Sequence, residues 1–232
     1  MAAARRILLA VLLGSALVAP ALVRAAPGPT AVPLGPAPKA VTAFCHRRAE
    51  RGQFPVLCPT RYPLTRVSLV TSSGDSLLAP SFYWASFNDE SGFLAGDHGH
   101  LVIGGQRPPF SLAGSVGQAW PRPGQPRPDE QLDLPRLATT PEQGGGVYVA
   151  ERPARILSRS TVRGQDALVL AAPPYPDGGF MGGHVIVPWN SHRHGYMLSF
   201  HFEVSRSGHA YSLAVRVATA LAVARSFSPV RV

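Results

Sequence analysis

The sequence predicts an α+β domain. Its parts are a single antiparallel sheet of about six to eight strands, a C-terminal helix packed on one face, and a short disulfide-stapled helix at the N-terminal side. Three observations predict it. From Tyr196 the chain alternates, with Tyr196, Leu198, Phe200, Phe202 and Val204 on one side and Met197, Ser199, His201 and Glu203 on the other. A period of two with one aromatic-aliphatic face marks a half-buried strand. Downstream, Ala210, Leu213, Val217, Leu221 and Ala224 recur at helical spacing, the stripe a helix lays on a core. Upstream, short β-branched and aromatic runs alternate with Gly/Asn/Asp/Ser turns, as in an antiparallel meander.

Taken in order, residues 1–25 read as a secretory signal. Arg5-Arg6 form the basic start, Ile7 to Val18 the apolar core, and Val23-Arg24-Ala25 a small-x-small cleavage site. The apolar core is short for a membrane span. Export by the Sec route is expected; the Arg5-Arg6 pair also belongs to twin-arginine signals, whose basic region is longer than this one. Residues 26–40 carry five prolines, at 27, 29, 33, 36 and 38, and are expected to form a disordered, extended leader. One domain follows over 41–232.

Within it, Val41 to Arg51 forms a short helix holding Cys45, and Pro55 to Pro59 returns Cys58 to it. The two cysteines of an exported chain are expected to pair. Closing a loop of that size is worth about 3 kcal/mol in the chain-entropy model. Val67 to Thr71, Phe82 to Phe87 and His100 to Ile103 read as strands, the last ending at Gly104-Gly105. Residues 120–136, with five prolines, break the pattern and form a long loop. Val147-Tyr148-Val149 resumes it, and Ala154 to Val162 and Gln165 to Ala171 make a hairpin across Arg163-Gly164. A second irregular loop spans 173–183. His184 to Val187 is a strand closed by Pro188, and Asn190, Ser191 and Gly195 supply the turn into the alternating run. A serine of Ser205-Arg206-Ser207-Gly208 is expected to cap the final helix, which Pro229 stops. Arg216 and Arg225 lie off its apolar stripe.

Charge narrows the partners. Removing residues 1–25 takes three arginines and no acid, so the +9 of the whole chain becomes +6. Lys39 is the single lysine, and no basic run exceeds Arg47-Arg48. Nucleic-acid faces cluster their cations, so no nucleic-acid partner is expected. The scattered arginines read as a positively charged solvated surface, with an anionic envelope polymer or lipid headgroup as the alternative, weakly bound partner. No cofactor motif occurs, and no cofactor is expected.

Three constellations bear on chemistry. Gly74-Asp75-Ser76-Leu77 resembles the nucleophile block of GDSL (SGNH) esterases, and Asp97-His98-Gly99-His100 spells the D-x-x-H block of that family. The resemblance implies Ser76 as nucleophile with Asp97 and His100 as its partners. Here both blocks fall between Gly74 and His100, where the family spreads them over most of a domain. Leu77-Leu78-Ala79-Pro80 and an aromatic strand follow Ser76, in place of a helix that would help hold an oxyanion. A turn is the favoured reading. The histidines offer two H-x-H pairs, His98/His100 and His192/His194, whose imidazoles share a face if the backbone is extended. His201 shares a strand face with Glu203. No cysteine or acidic cluster completes a shell, so the favoured reading has no metal and metal binding stands as an alternative. Among the aromatic residues, Phe82, Tyr83, Trp84 and Phe87 are expected in the core. Trp120, Tyr175 and Trp189 are the candidate exposed binding rings, Trp189 because it adjoins a turn.

The final strand, turn, strand and helix, ending Ala224-Arg225-Ser226-Phe227-Ser228-Pro229, resembles the end of PsbP-like domains and of small exported actinobacterial proteins. That resemblance, over about 50 residues, implies a curved antiparallel sheet flanked by helices and a binding or accessory role without catalytic residues. The function expected is therefore a non-enzymatic binding protein of the cell envelope or extracellular space, recognising its partner through the 120–136 and 173–183 loops. The non-reduced, exported protein should be lighter by two hydrogens than its reduced form in mass spectrometry. Two thiols that alkylate without reductant would refute the Cys45–Cys58 bridge.

Overall fold

The computed structural model describes residues 30–51, 55–64, 66–71, 82–90, 99–107, 109–120, 152–174, 182–205 and 207–232. Residues 1–29, Ser76, Asp97, His98, Tyr175, Val147 to Val149 and most of residues 120–136 and 173–183 lie outside these. Among the described residues the first elements are β1 (Gly35–Pro36) and helix α1 (Lys39–Glu50), followed by β2 (Leu57–Pro59) and β3 (Arg61–Tyr62). Strands β4 (Val67–Thr71), β5 (Phe82–Asp89), β6 (Gly99–Gln106) and β7 (Ala119–Trp120) come next. They are followed by β8 (Ala154–Val162), β9 (Gln165–Ala171), β10 (Val185–Ser191) and β11 (His194–Phe202). Helix α2 (Leu213–Arg225) and β12 (Phe227–Pro229) end the chain.

One eight-stranded sheet runs in the order β4-β5-β6-β11-β10-β9-β8-β7, and every neighbouring pair is antiparallel. Two meanders, β4–β6 and β7–β11, thus meet edge to edge along β6 and β11. The α+β class, the C-terminal helix, the N-terminal helix and the Cys45–Cys58 disulfide are all present, with Cα atoms 6.2 Å apart at the bridge. Strand β2, which carries Cys58, pairs with β12, so Cys58 lies opposite Ser228. The staple therefore ties α1 to the end of the chain.

The faces follow the alternation. Tyr196, Leu198, Phe200 and Phe202 join Tyr83, Phe87, Val185, Val187 and Trp189 in a core closed by α1 and α2. Met197, Val102, Ile186, Leu168 and Leu170 form a second core on the opposite face, with Trp84 and Phe110. The expectation that Phe82 to Phe87 is core holds for Tyr83, Trp84 and Phe87, all buried. At the β8–β9 hairpin Arg163 (φ 54°) and Gly164 (φ 75°) are both left-handed, the conformation a two-residue turn needs to match strand twist.

Several boundaries differ from expectation, each for a physical reason. Residues 30–40, expected in a disordered leader, are part of the fold: β1 pairs with β3, and Val32 N–H donates to Thr219 Oγ1 at 2.9 Å. Val32 and Leu34 pack on the core, so the prolines shape an extended strap. Strand β6 runs through Gly104-Gly105. A Cβ at Gly105 would lie 2.7 Å from the Tyr83 ring and 3.0 Å from that of Tyr196, so glycine there lets both tyrosines lie across the strand. Strand β10 continues past Pro188. Its pairing with β9 skips Val187 and Pro188 and resumes at Trp189, where proline's missing N–H would have left a gap. Trp189 is consequently buried, against Tyr196 and Phe227 with ring centroids 5.9 and 4.9 Å away. It is a core residue and not an exposed binding ring.

Helix α2 is capped by Ser212, whose Oγ accepts from Val215 N–H at 3.3 Å. Ser205 instead closes the preceding turn, accepting from His209 N–H. The buried helix face is Thr219, Ala220, Val223 and Ala224, while Leu213 is 43% exposed. Small residues face the sheet because its aromatic rings already fill the space between the layers. Arg216 falls on that inward side, contrary to the expected stripe. Phe200→Ala is expected to cost about 3–5 kcal/mol, measured from chemical denaturation. An unchanged melting temperature for Phe200→Asp would refute the face assignment.

Candidate functional site

Chemistry gathers at one end of the β6–β11 junction. The register sets His201 directly opposite His100, and Val185 opposite Phe200. Continuing the second pairing by one residue brings His184 opposite His201. Alternation puts all three on the face of Met197, Val102 and Ile186. Three adjacent strands thus carry a row of imidazoles, with ring centroids 4.6 Å apart for His100–His184 and 5.0 Å for each pair with His201. One ring nitrogen from each lies within 4.8 Å of the others.

The hydrogen bonds order the row. His184 Nδ1 is 2.7 Å from Ser199 Oγ, and His184 Nε2 is 2.8 Å from His100 Nε2. Ser199 and His184 are fully buried, while His100 and His201 reach the surface in part. With Nδ1–H donating to Ser199, the Nε2 lone pair of His184 points at the other rings. This is the tautomer a metal-ligating imidazole adopts when a neighbour fixes its second nitrogen. Burial pushes the His184 pKa well below its ordinary value, and the charges of His100, His201 and Arg216 push the same way. The ring is therefore held neutral, the form that binds a metal.

A tetrahedral ion with bonds of about 2.05 Å sets its ligands roughly 3.3 Å apart. His100 and His184, 2.8 Å apart, need to part slightly to meet that spacing, and His201, whose nitrogen lies within 4.8 Å of theirs, needs to close by up to about 1.5 Å. Imidazole donors suit zinc, copper or nickel; magnesium and calcium prefer oxygen. The buried Ser199–His184 pair does not present a hydrolytic nucleophile, because neither residue reaches solvent.

Of the histidines named from sequence, His100 and His201 belong to this row. The partners proposed for His100, namely Ser76, Asp97 and His98, lie outside the described residues. His192 and His194 lie at the opposite end of β11, roughly 23 Å from His201 at about 3.3 Å per residue. There His192 (φ 55°) and Arg193 form the two-residue turn between β10 and β11. His194 is pushed down in pKa by partial burial and by Arg107 and His192. That end is cationic and suits a metal poorly. Trp120 belongs to the short strand β7.

His184 was missed because it stands first in a β-branched run. The signal was the hairpin itself: a turn at His192-Arg193 fixes every β10–β11 pair and carries His184 to His201.

The titration has a definite sign. His184 is neutral in the folded state and gains a proton on unfolding below its ordinary pKa near 6.5. The unfolded chain then binds more protons, so stability is complete above that pH and falls on acidification. Thermal melts of chelator-treated protein should drop between about pH 7 and 5, and His184→Gln should flatten the curve. An equally steep curve in the variant would remove His184 as the source.

Among the described residues no helix is long and apolar enough to cross a membrane. Set against protein-family models, curated proteins and solved structures, the chain finds no match in any of the three.

Proposed function

We propose that this chain is an exported, non-enzymatic accessory protein of the cell envelope or extracellular space whose ligand is a transition-metal ion held by His100, His184 and His201. The observation that carries the reading is the convergence of one nitrogen from each imidazole within 4.8 Å, on three neighbouring strands. A core histidine satisfied by one hydrogen bond requires no second imidazole beside it. Here the buried ring has both a serine at Nδ1 and another histidine at Nε2. Zinc and copper are the ions this donor set favours.

The Cys45–Cys58 disulfide agrees with an oxidising compartment, as does the signal read in residues 1–25. The PsbP-like character of the C-terminal unit and an anionic envelope partner for the arginine-rich surface belong to the same proposal. Esterase activity through Ser76 receives no support from His100, whose Nε2 lies 2.8 Å from His184 Nε2.

Purified, untagged protein should retain about one zinc or copper ion per chain after desalting, by elemental analysis. His100→Ala and His201→Ala, both at partly exposed positions, should each lose it while keeping the wild-type circular dichroism. Wild-type protein that retains no ion from an equimolar solution would sink the reading.

A further inference from the structure

Beyond the three imidazoles, and resting on that reading, we propose that Glu203 is the fourth ligand and that Arg216 positions it, so that the ion is closed off from solvent water. Glu203 follows His201 on the same face of the chain, just past the end of β11. Its Oε2 lies 3.8 Å from His201 Nε2, near the roughly 3.3 Å that two ligands of one tetrahedral ion require. It stands outside the group that the three imidazoles form within 4.8 Å, so the carboxylate must swing toward His100 and His184 to join them. Its other oxygen, Oε1, accepts from Arg216 Nη1 at 3.0 Å. Arg216, from α2, also donates through Nη2 to the carbonyl of Gly183, the residue before His184. Ligating carboxylates usually carry such an outer hydrogen bond on the oxygen that does not face the ion. Arg216 thus does for Glu203 what Ser199 does for His184.

Gly183 completes the arrangement. Its φ of 75° lies in the left-handed region, and a Cβ there would sit 2.8 Å from Glu203 Oε1 and 3.2 Å from His201 Nε2. Glycine leaves open the space where the carboxylate and imidazole converge. Arg216 is 12% exposed and Glu203 36%, so the pair forms the partly wet rim beside a dry imidazole. A carboxylate in this position also offsets the cation that Arg216 would otherwise bring alone to a site for a dication.

The consequence is functional. Three histidines and a water make the open shell of a catalytic ion; three histidines and a carboxylate make the closed shell of a binding or structural one. The deepened reading is therefore a site that holds an ion and does not activate water.

Cobalt(II) is the probe, because its visible bands report coordination number. Full-length processed wild type and Glu203→Gln should be titrated with cobalt, and azide then added. The expected result is one cobalt per wild-type chain with tetrahedral bands that azide leaves unchanged. Glu203→Gln should bind at least tenfold more weakly and respond to azide. A structural role for Glu203 alone would move the melting temperature without opening the shell to azide. If azide shifts the wild-type bands, or the variant binds cobalt equally well with the same spectrum, Glu203 is not a ligand and the three-histidine reading stands. If wild type binds no cobalt, both fall together. Should Glu203→Gln not fold, the azide response of wild type still decides.

Discussion

The pairing of β6 with β11 is the interaction on which the rest of the molecule depends. It joins two meanders that are each local in sequence, and it does so over eight residue pairs, from Gly195↔Gln106 to Phe202↔Gly99. Without it, two smaller sheets would each expose an edge and share no core. With it, Tyr83 and Phe87 from one half and Tyr196, Phe200 and Phe202 from the other pack under the same two helices. The pairing also sets the chemistry. A slip of one residue would turn His201 to the helix-covered face and Phe200 or Phe202 out of it.

The two meanders were legible separately, and their junction was not. Turn chemistry at Arg163-Gly164 and the alternation after Tyr196 are local signals, and both elements form where expected. Helix α2 was legible in existence and length. Of its expected stripe Ala224 is buried and Val217 and Leu221 pack on the core edge, while Leu213 is exposed; the most buried positions are Thr219, Ala220, Val223 and Ala224. Spacing alone cannot tell whether a stripe of Leu213, Val217, Leu221 and Ala224 or one centred on Ala220 and Val223 is the more deeply buried, since both repeat at helical period. The choice is made by the partner: a sheet already filled with aromatic rings takes the smaller side chains. Pro188 and Gly104-Gly105 read as breakers for a similar reason. Each is tolerated only because a neighbouring strand leaves a gap for the proline or a ring for the glycine, and neither neighbour is visible in one segment of sequence.

The same distinction applies to the site. The match of His184 to His201 could be worked out from the β10–β11 turn, because a hairpin's register propagates from its loop. The match of His100 to His201 depends on the long-range junction, and no local pattern predicts it. The H-x-H pairs group histidines by proximity in sequence; His98 lies outside the described residues, and His192 and His194 lie at the far end of β11 from His201. The sheet supplies proximity across strands instead, one histidine from each, at the spacing of neighbouring strands of about 4.8 Å.

Burying a neutral imidazole beside two others and a guanidinium favours no charged state, and left to itself the arrangement stores a cost that acid exposes. An ion would reverse its sign. A ligand present at 100 times its dissociation constant stabilises the folded state by about 2.7 kcal/mol, comparable to the roughly 3 kcal/mol a disulfide loop of this size contributes. The two cross-links would act in different places. Cys45–Cys58 fastens α1 to β2 and, through β12, to the end of α2. The imidazoles instead span β6, β11 and β10, across the junction between the meanders and on the opposite face of the sheet. Arg216 connects the two systems, since it belongs to α2 and reaches Glu203 and Gly183 at the histidine end. Filling the site would therefore clamp the junction that neither the staple nor either meander secures alone, and a ligand-binding end of the sheet would be the part whose rigidity depends on the ion.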